Sequence, residues 1–137
     1  MASTVYNNFK EQVLNGTFDL TNDTIKVALV QSGYTPNIDS HTTYSDLTNE
    51  TSGTGYSAGG STLGSQTVTQ DNTNDRGVFD GADTSWTNST LIARAAVLYD
   101  STASNLLMCY VDFGADYTTV GGTLAITWSS SGILYLG

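Results

Sequence analysis

Ile25-Lys26-Val27-Ala28-Leu29-Val30 is too short for a stable helix and rich in β-branched residues, so it reads as a buried strand. Successive side chains of a strand point to opposite faces. Ile25, Val27 and Leu29 therefore share one face, and Lys26, Ala28 and Val30 share the other. Nothing comparably periodic follows for some thirty residues: Gly33-Tyr34-Thr35-Pro36-Asn37, His41, Tyr44-Ser45-Asp46-Leu47, Asn49-Glu50 and Gly53-Thr54-Gly55-Tyr56-Ser57-Ala58-Gly59-Gly60. A helical turn is expected at Tyr44 to Asn49. The loop from Gln31 to Ser52 exceeds the usual length of an unstructured connection, which assigns it a task at an interface.

Beyond the loop the pattern stays β. Strands are expected near Tyr56 to Leu63, Gln66 to Thr69, Gly77 to Phe79 and Asp83 to Trp86, with turn chemistry at Asp71-Asn72-Thr73-Asn74-Asp75. Leu91 to Tyr99, Leu106 to Phe113, Thr123 to Trp128 and Ile133 to Leu136 are apolar runs separated by Ser, Thr, Asn and Gly, the pattern of an antiparallel meander. Before the first strand, Val5, Phe9 and Val13 recur every four residues, with Ser3 placed to cap and Asn15-Gly16 to stop one short amphipathic helix. The fold class expected is all-β: a two-layer antiparallel β-sandwich, or a jelly roll as its more specific form, over residues 1–137 as one domain, with 1–16 as a helical arm.

Composition narrows the function classes. Thirteen acidic against four basic side chains give a formal charge of −9, which repels nucleic-acid phosphates and anionic membranes, so no nucleic-acid or membrane partner is expected. No run approaches the roughly 18 apolar residues of a membrane span, and the N-terminus lacks a signal-like pattern, so a soluble product of the cell that makes it is expected. The single cysteine, Cys109, lies in the apolar run Leu106-Leu107-Met108-Cys109-Tyr110-Val111 and is expected to pack as a small apolar group.

Motifs that could carry chemistry fail on context. Gly55-Tyr56-Ser57-Ala58-Gly59 matches a nucleophile elbow, but neither a buried strand nor a helix flanks it, and the one histidine, His41, precedes the serine. Gly53-x-Gly55-x-x-Ala58 has no βαβ unit around it, so no dinucleotide cofactor is expected. One Cys and one His far apart cannot build a zinc site, and Thr73 and Arg76 break the calcium-loop spacing around Asp71 and Asp75, leaving a solvated hairpin turn and no metal. Arg94, inside an apolar strand, calls for a carboxylate partner, for which Asp112 is the candidate. Trp86, Trp128 and the tyrosines suit core or interface packing, with a sugar-stacking platform as the rival use.

The Ile25 to Gly60 segment, taken with Ala93-Arg94-Ala95-Ala96-Val97-Leu98-Tyr99, Tyr110-Val111-Asp112-Phe113-Gly114 and Thr123-Leu124-Ala125-Ile126-Thr127-Trp128, resembles a family of small structural proteins of tailed bacteriophage particles, over nearly the whole chain. The resemblance implies a protein without catalysis, made in the host cytoplasm and ending on the virion. Its most direct reading is a capsid decoration (cement) protein that binds the major capsid protein at the shell surface and bridges capsomers. It further implies a homo-oligomer, by preference a trimer. The alternative is a tail or fibre module that stacks host glycan on Trp86 or an exposed tyrosine. For the contact surface the expectation names Val5 and Phe9 on the N-terminal arm, which could swing onto a neighbour, and Tyr34, Pro36 and Tyr44 in the long loop.

Overall fold

A computed structural model describes residues 3–137. It is a two-layer antiparallel β-sandwich. The large sheet has five strands in the order β1-β7-β6-β2-β3 and the small sheet three in the order β4-β5-β8. The strands are β1 (Thr4–Val5), β2 (Ile25–Val30), β3 (Ser61–Thr62), β4 (Thr67–Asp71), β5 (Arg76–Asp80), β6 (Thr84–Asp100), β7 (Leu106–Ile126) and β8 (Leu134–Leu136). One helix, α1 (Asn7–Leu14), and a single 3-10 turn at Tyr44–Asp46 complete the elements among the described residues. A jelly roll needs two Greek keys, a finer pattern than this strand order establishes.

The helix is shorter than the spacing of Val5, Phe9 and Val13 predicts, and Ser3 does not cap it. Thr4 and Val5 pair instead with Tyr110 and Cys109 of β7, and the Tyr6 N–H donates to the Met108 carbonyl at 3.2 Å. With that backbone spent on the sheet, Tyr6 becomes the N-cap and Asn7 the first helical residue. The C-terminus ends as expected: Gly16 at φ +73° donates to Val13, and Thr17 donates to Gln12, the paired bonds of a Schellman motif. That reversal brings Phe18 back onto Phe9, with ring centroids 4.8 Å apart. The expected swinging arm is thus corrected: Phe9 is fully buried in its own subunit.

Two long strands replace four expected short ones. Asp83 to Trp86 and Leu91 to Tyr99 merge into β6, and Leu106 to Phe113 joins the first part of Thr123 to Trp128 in β7. The polar spacers that look like turns are irregular positions within one continuous ladder. Ala93 faces Tyr117 while Ala95 faces Asp112, so Phe113 to Asp116 are extra residues opposite Arg94 alone. Asn88 and Gly121, both at positive φ, mark two smaller offsets. The strand expected at Tyr56 to Leu63 contracts to β3. Gly60 cannot continue it, because φ is +83° and a Cβ there would sit 1.9 Å from the Val27 carbonyl oxygen.

The alternation of β2 separates two cores. Ile25, Val27 and Leu29 join Phe9, Leu63, Phe79, Trp86, Leu98, Met108 and Leu134 between the sheets and under α1. Ala28 and Val30 turn to the opposite face, where they meet Ala95, Val97, Leu107, Tyr6, Tyr34, Tyr99 and Tyr110. The large sheet is therefore covered on both sides over the stretch where β2, β6 and β7 run together. The second cover is the long loop.

Candidate functional site

Four of the five expected contact residues take part in the subunit's own packing. Val5 is half-buried on β1 against the inter-sheet core, and Phe9 lies inside that core. Tyr34 is 3% exposed and belongs to the second core, with its ring 6.0 Å from Tyr110. Tyr44 is half-buried against Tyr99 at 4.9 Å. Pro36 lines a shallow hollow of about 230 Å³ together with Tyr34, Ser32, Thr35 and Arg94. The five do not converge on one face. Small side chains on the sheet (Ala28, Val30, Ala95, Val97) leave a depression that tyrosine rings from the loop fill, and this removes apolar area from water far more completely than exposure to solvent would.

Hydrogen bonds fasten the loop to that face. Glu50 is their hub: it accepts the hydroxyls of Tyr44 and, at 2.6 Å, Tyr56, together with the Gly59 N–H at 2.8 Å. Tyr56 in turn accepts the Leu29 N–H at 3.0 Å, and Tyr99 donates to the Gly59 carbonyl at 2.6 Å. Burial first, and the Glu50 carboxylate second, push the Tyr44 and Tyr56 phenols far above their ordinary range, so both remain donors. A second chain of bonds runs Tyr6, Tyr34, His41. The Asn37 N–H can only donate, so His41 Nδ1 is an acceptor; Tyr34 donates to it at 2.9 Å and Tyr6 donates to Tyr34 at 2.8 Å. The neutral imidazole with its proton on Nε2 is the form this arrangement needs.

Other reactive groups have structural surroundings. Ser57 is exposed in a bend whose neighbour Tyr56 turns inward, and the strand-to-helix geometry of a nucleophile elbow is absent around it. The Asp71 carboxylate accepts from the Thr73 and Asn74 backbone, from Asn74 Nδ2 and from Arg76 Nε, closing the β4–β5 turn as the turn chemistry predicts. Arg94 pairs with Asp112 as expected, Nε to Oδ1 at 3.0 Å. Burial works against the Asp112 carboxylate, but the Gly114 N–H and the Arg94 guanidinium outweigh it and hold the acid below its ordinary range. Cys109 is buried as predicted, and burial pushes its thiol up to about 12. Trp86 and Trp128 are 6% and 8% exposed, so neither offers a stacking face.

Two features lie outside the residues the sequence singled out. Asp100 is fully buried at the end of β6; its Oδ1 accepts the Thr102 and Ala103 N–H groups, while Oδ2 has no donor and the Asp23 carboxyl stands beside it. Burial, and then the neighbouring Asp23 carboxyl, push this acid up to about 7. The other is a groove of about 510 Å³ along the outer part of β7, lined by Phe113, Tyr117, Leu124 and Ile126 among intervening threonines. Tyr117 in its wall is 54% exposed, and Val120, on the same strand outside the groove, is 84% exposed. The one sequence signal for it is negative: Tyr117 to Thr127 contains no charged residue. Comparison with protein-family models, curated proteins and solved structures found no match for the chain.

Proposed function

We propose that the protein is an architectural component of a tailed-phage particle, a capsid decoration protein that binds the outer surface of the shell as a homo-oligomer and bridges capsomers of the major capsid protein. The observation that supports this reading is how its reactive side chains are used. Glu50, His41, Asp71 and Asp112 each hold backbone or neighbouring side chains in place, and the resulting body is a sheet clamped on both faces. A rigid body with neutral, threonine-rich outer strands suits repeated docking on a lattice. Each subunit that binds only the mature lattice stabilises it by mass action.

Copy number tests the proposal. Quantitative gel analysis of purified virions should give hundreds of copies per particle, and the isolated protein should bind mature shells lacking it. A small multiple of three or six, with no shell binding, would reject decoration and favour the tail or fibre. Tyr117 would then be the exposed aromatic available for glycan stacking, Trp86 being buried.

A further inference from the structure

Among the described residues, the large sheet has one long edge along which no further strand runs. β1 pairs with β7 only at Tyr110 and Cys109, and among the described residues no strand lies along that side of β7 from Val111 to Ile126. Exposed sheet edges normally carry protection such as a lysine, a proline or an inward-pointing charge, because unpaired N–H and C=O groups template the addition of another strand. From Tyr117 to Thr127 there is no lysine, proline or charge, and the one irregularity is the small offset at Val120 and Gly121: the sequence reads Tyr-Thr-Thr-Val-Gly-Gly-Thr-Leu-Ala-Ile-Thr. The groove lined by Phe113, Tyr117, Leu124 and Ile126 runs beside this edge, so a strand added here would gain apolar contact as well as backbone bonds.

We propose that this edge is a two-fold interface, with β7 of one copy pairing antiparallel with β7 of a second copy so that the two large sheets become one.

Three observations favour a second copy as the occupant. Charge is the first: a chain of net charge −9 repels its own kind almost everywhere, and these eleven uncharged residues are a place where two copies meet without like charges opposed. In an antiparallel arrangement centred near Val120, Asp116 of each copy faces the uncharged Leu124 end of the other. Shape is the second. The strand carries a protruding aromatic, Tyr117, toward one end and the Leu124 and Ile126 side of the groove toward the other. A two-fold axis sets each protrusion against the other copy's hollow, the self-complementarity an isologous contact requires. Solvent exposure is the third: Val120, at 84% the most exposed apolar side chain of the two long strands, would sit at the axis and be covered by its own symmetry mate. The inference differs from the trimer implied by the family resemblance, and it stands whether or not the protein decorates a shell.

Sedimentation equilibrium of the full chain over a range of concentrations tests it, with two variants alongside. The wild type is expected to sediment as a dimer. Tyr117→Lys combined with Val120→Lys should weaken the dimer at least about tenfold, because it places like charges across the axis. This variant lowers the net negative charge, so general repulsion cannot account for its dissociation. Leu14→Lys, at an apolar position 89% exposed on α1, should leave the dimer intact. Thermal melts of all three should agree within a few degrees, showing that the fold is kept. A wild-type monomer, a trimer, or a dimer indifferent to the β7 lysines would overturn the proposal. Shell binding, measured separately on the same variants, keeps this outcome distinct from that of the decoration reading.

Discussion

Phe9 shows how one ring fixes the place of a whole helix. Eight residues of helix are too few to be stable alone, so α1 persists because Phe9 is buried between it, Phe18 and the sheet. Phe9→Ala should therefore cost about 3–5 kcal/mol, the usual range for emptying such a site, and appear as a lower urea midpoint of the isolated protein. Asp100 gives a prediction in pH. Its folded-state value, about 7, lies above the roughly 3.9 of an unfolded aspartate, so the folded state holds the proton more tightly than the unfolded one. The favourable contribution is complete below pH about 4 and is lost as pH rises to about 7. Asp100→Asn retains an acceptor for Thr102 and Ala103 and should flatten this part of the melting temperature against pH curve; an unchanged slope would assign the pH dependence to other groups. The Arg94–Asp112 pair was legible from sequence, because a guanidinium inside an apolar strand has few affordable partners. The destinations of Tyr34 and Tyr44 were not. An aromatic ring in an irregular loop has the same sequence signature whether it meets a partner or folds down on its own sheet. The usable hint was on β2, whose second face carries apolar Ala28 and Val30 and so needs a cover.

The long loop behaves as a layer of the fold. Its attachment rests heavily on Glu50, and Glu50→Ala would leave two phenols and the Gly59 N–H without their acceptor in a partly buried place, each a costly loss. The expected outcome is faster proteolysis and amide exchange across Gln31 to Gly60, with the β4–β5 hairpin unaffected; equal loosening of both would show that the loop is not a separate unit. Strand β2, the β4–β5 hairpin with its Asp71 turn, and β8 could be read from alternation and turn residues. The continuity of β6 and of β7 could not. Asn88-Ser89-Thr90 and the Phe113 to Asp116 bulge have the composition of turns, yet the ladder runs through them because each strand keeps its partner on the other side of the irregularity. Likewise, Tyr56 to Leu63 has strand-forming residues, but Gly59 and Gly60 at positive φ bend the chain against Val27 before it can pair.

Across the molecule, stability should be graded by cover. β2 and the facing parts of β6 and β7 have packing on both sides, whereas β4 is a free edge with Val68 52% exposed. Hydrogen exchange should accordingly be slowest at Ala28 to Val30 and Ala95 to Leu98, and much faster in β4; uniform protection would mean that the two sheets open only together. The same division sets where the chain can change length. On β2, large side chains face the small sheet and Ala28 and Val30 face the tyrosines, so deleting or inserting a single residue would present each core with the other's set. Opposite Arg94 the chain already carries surplus backbone, Phe113 to Asp116, that pairs with nothing on β6. Natural variants of this protein that differ by a residue or two should therefore gain or lose them in that bulge, and β2 should keep its count.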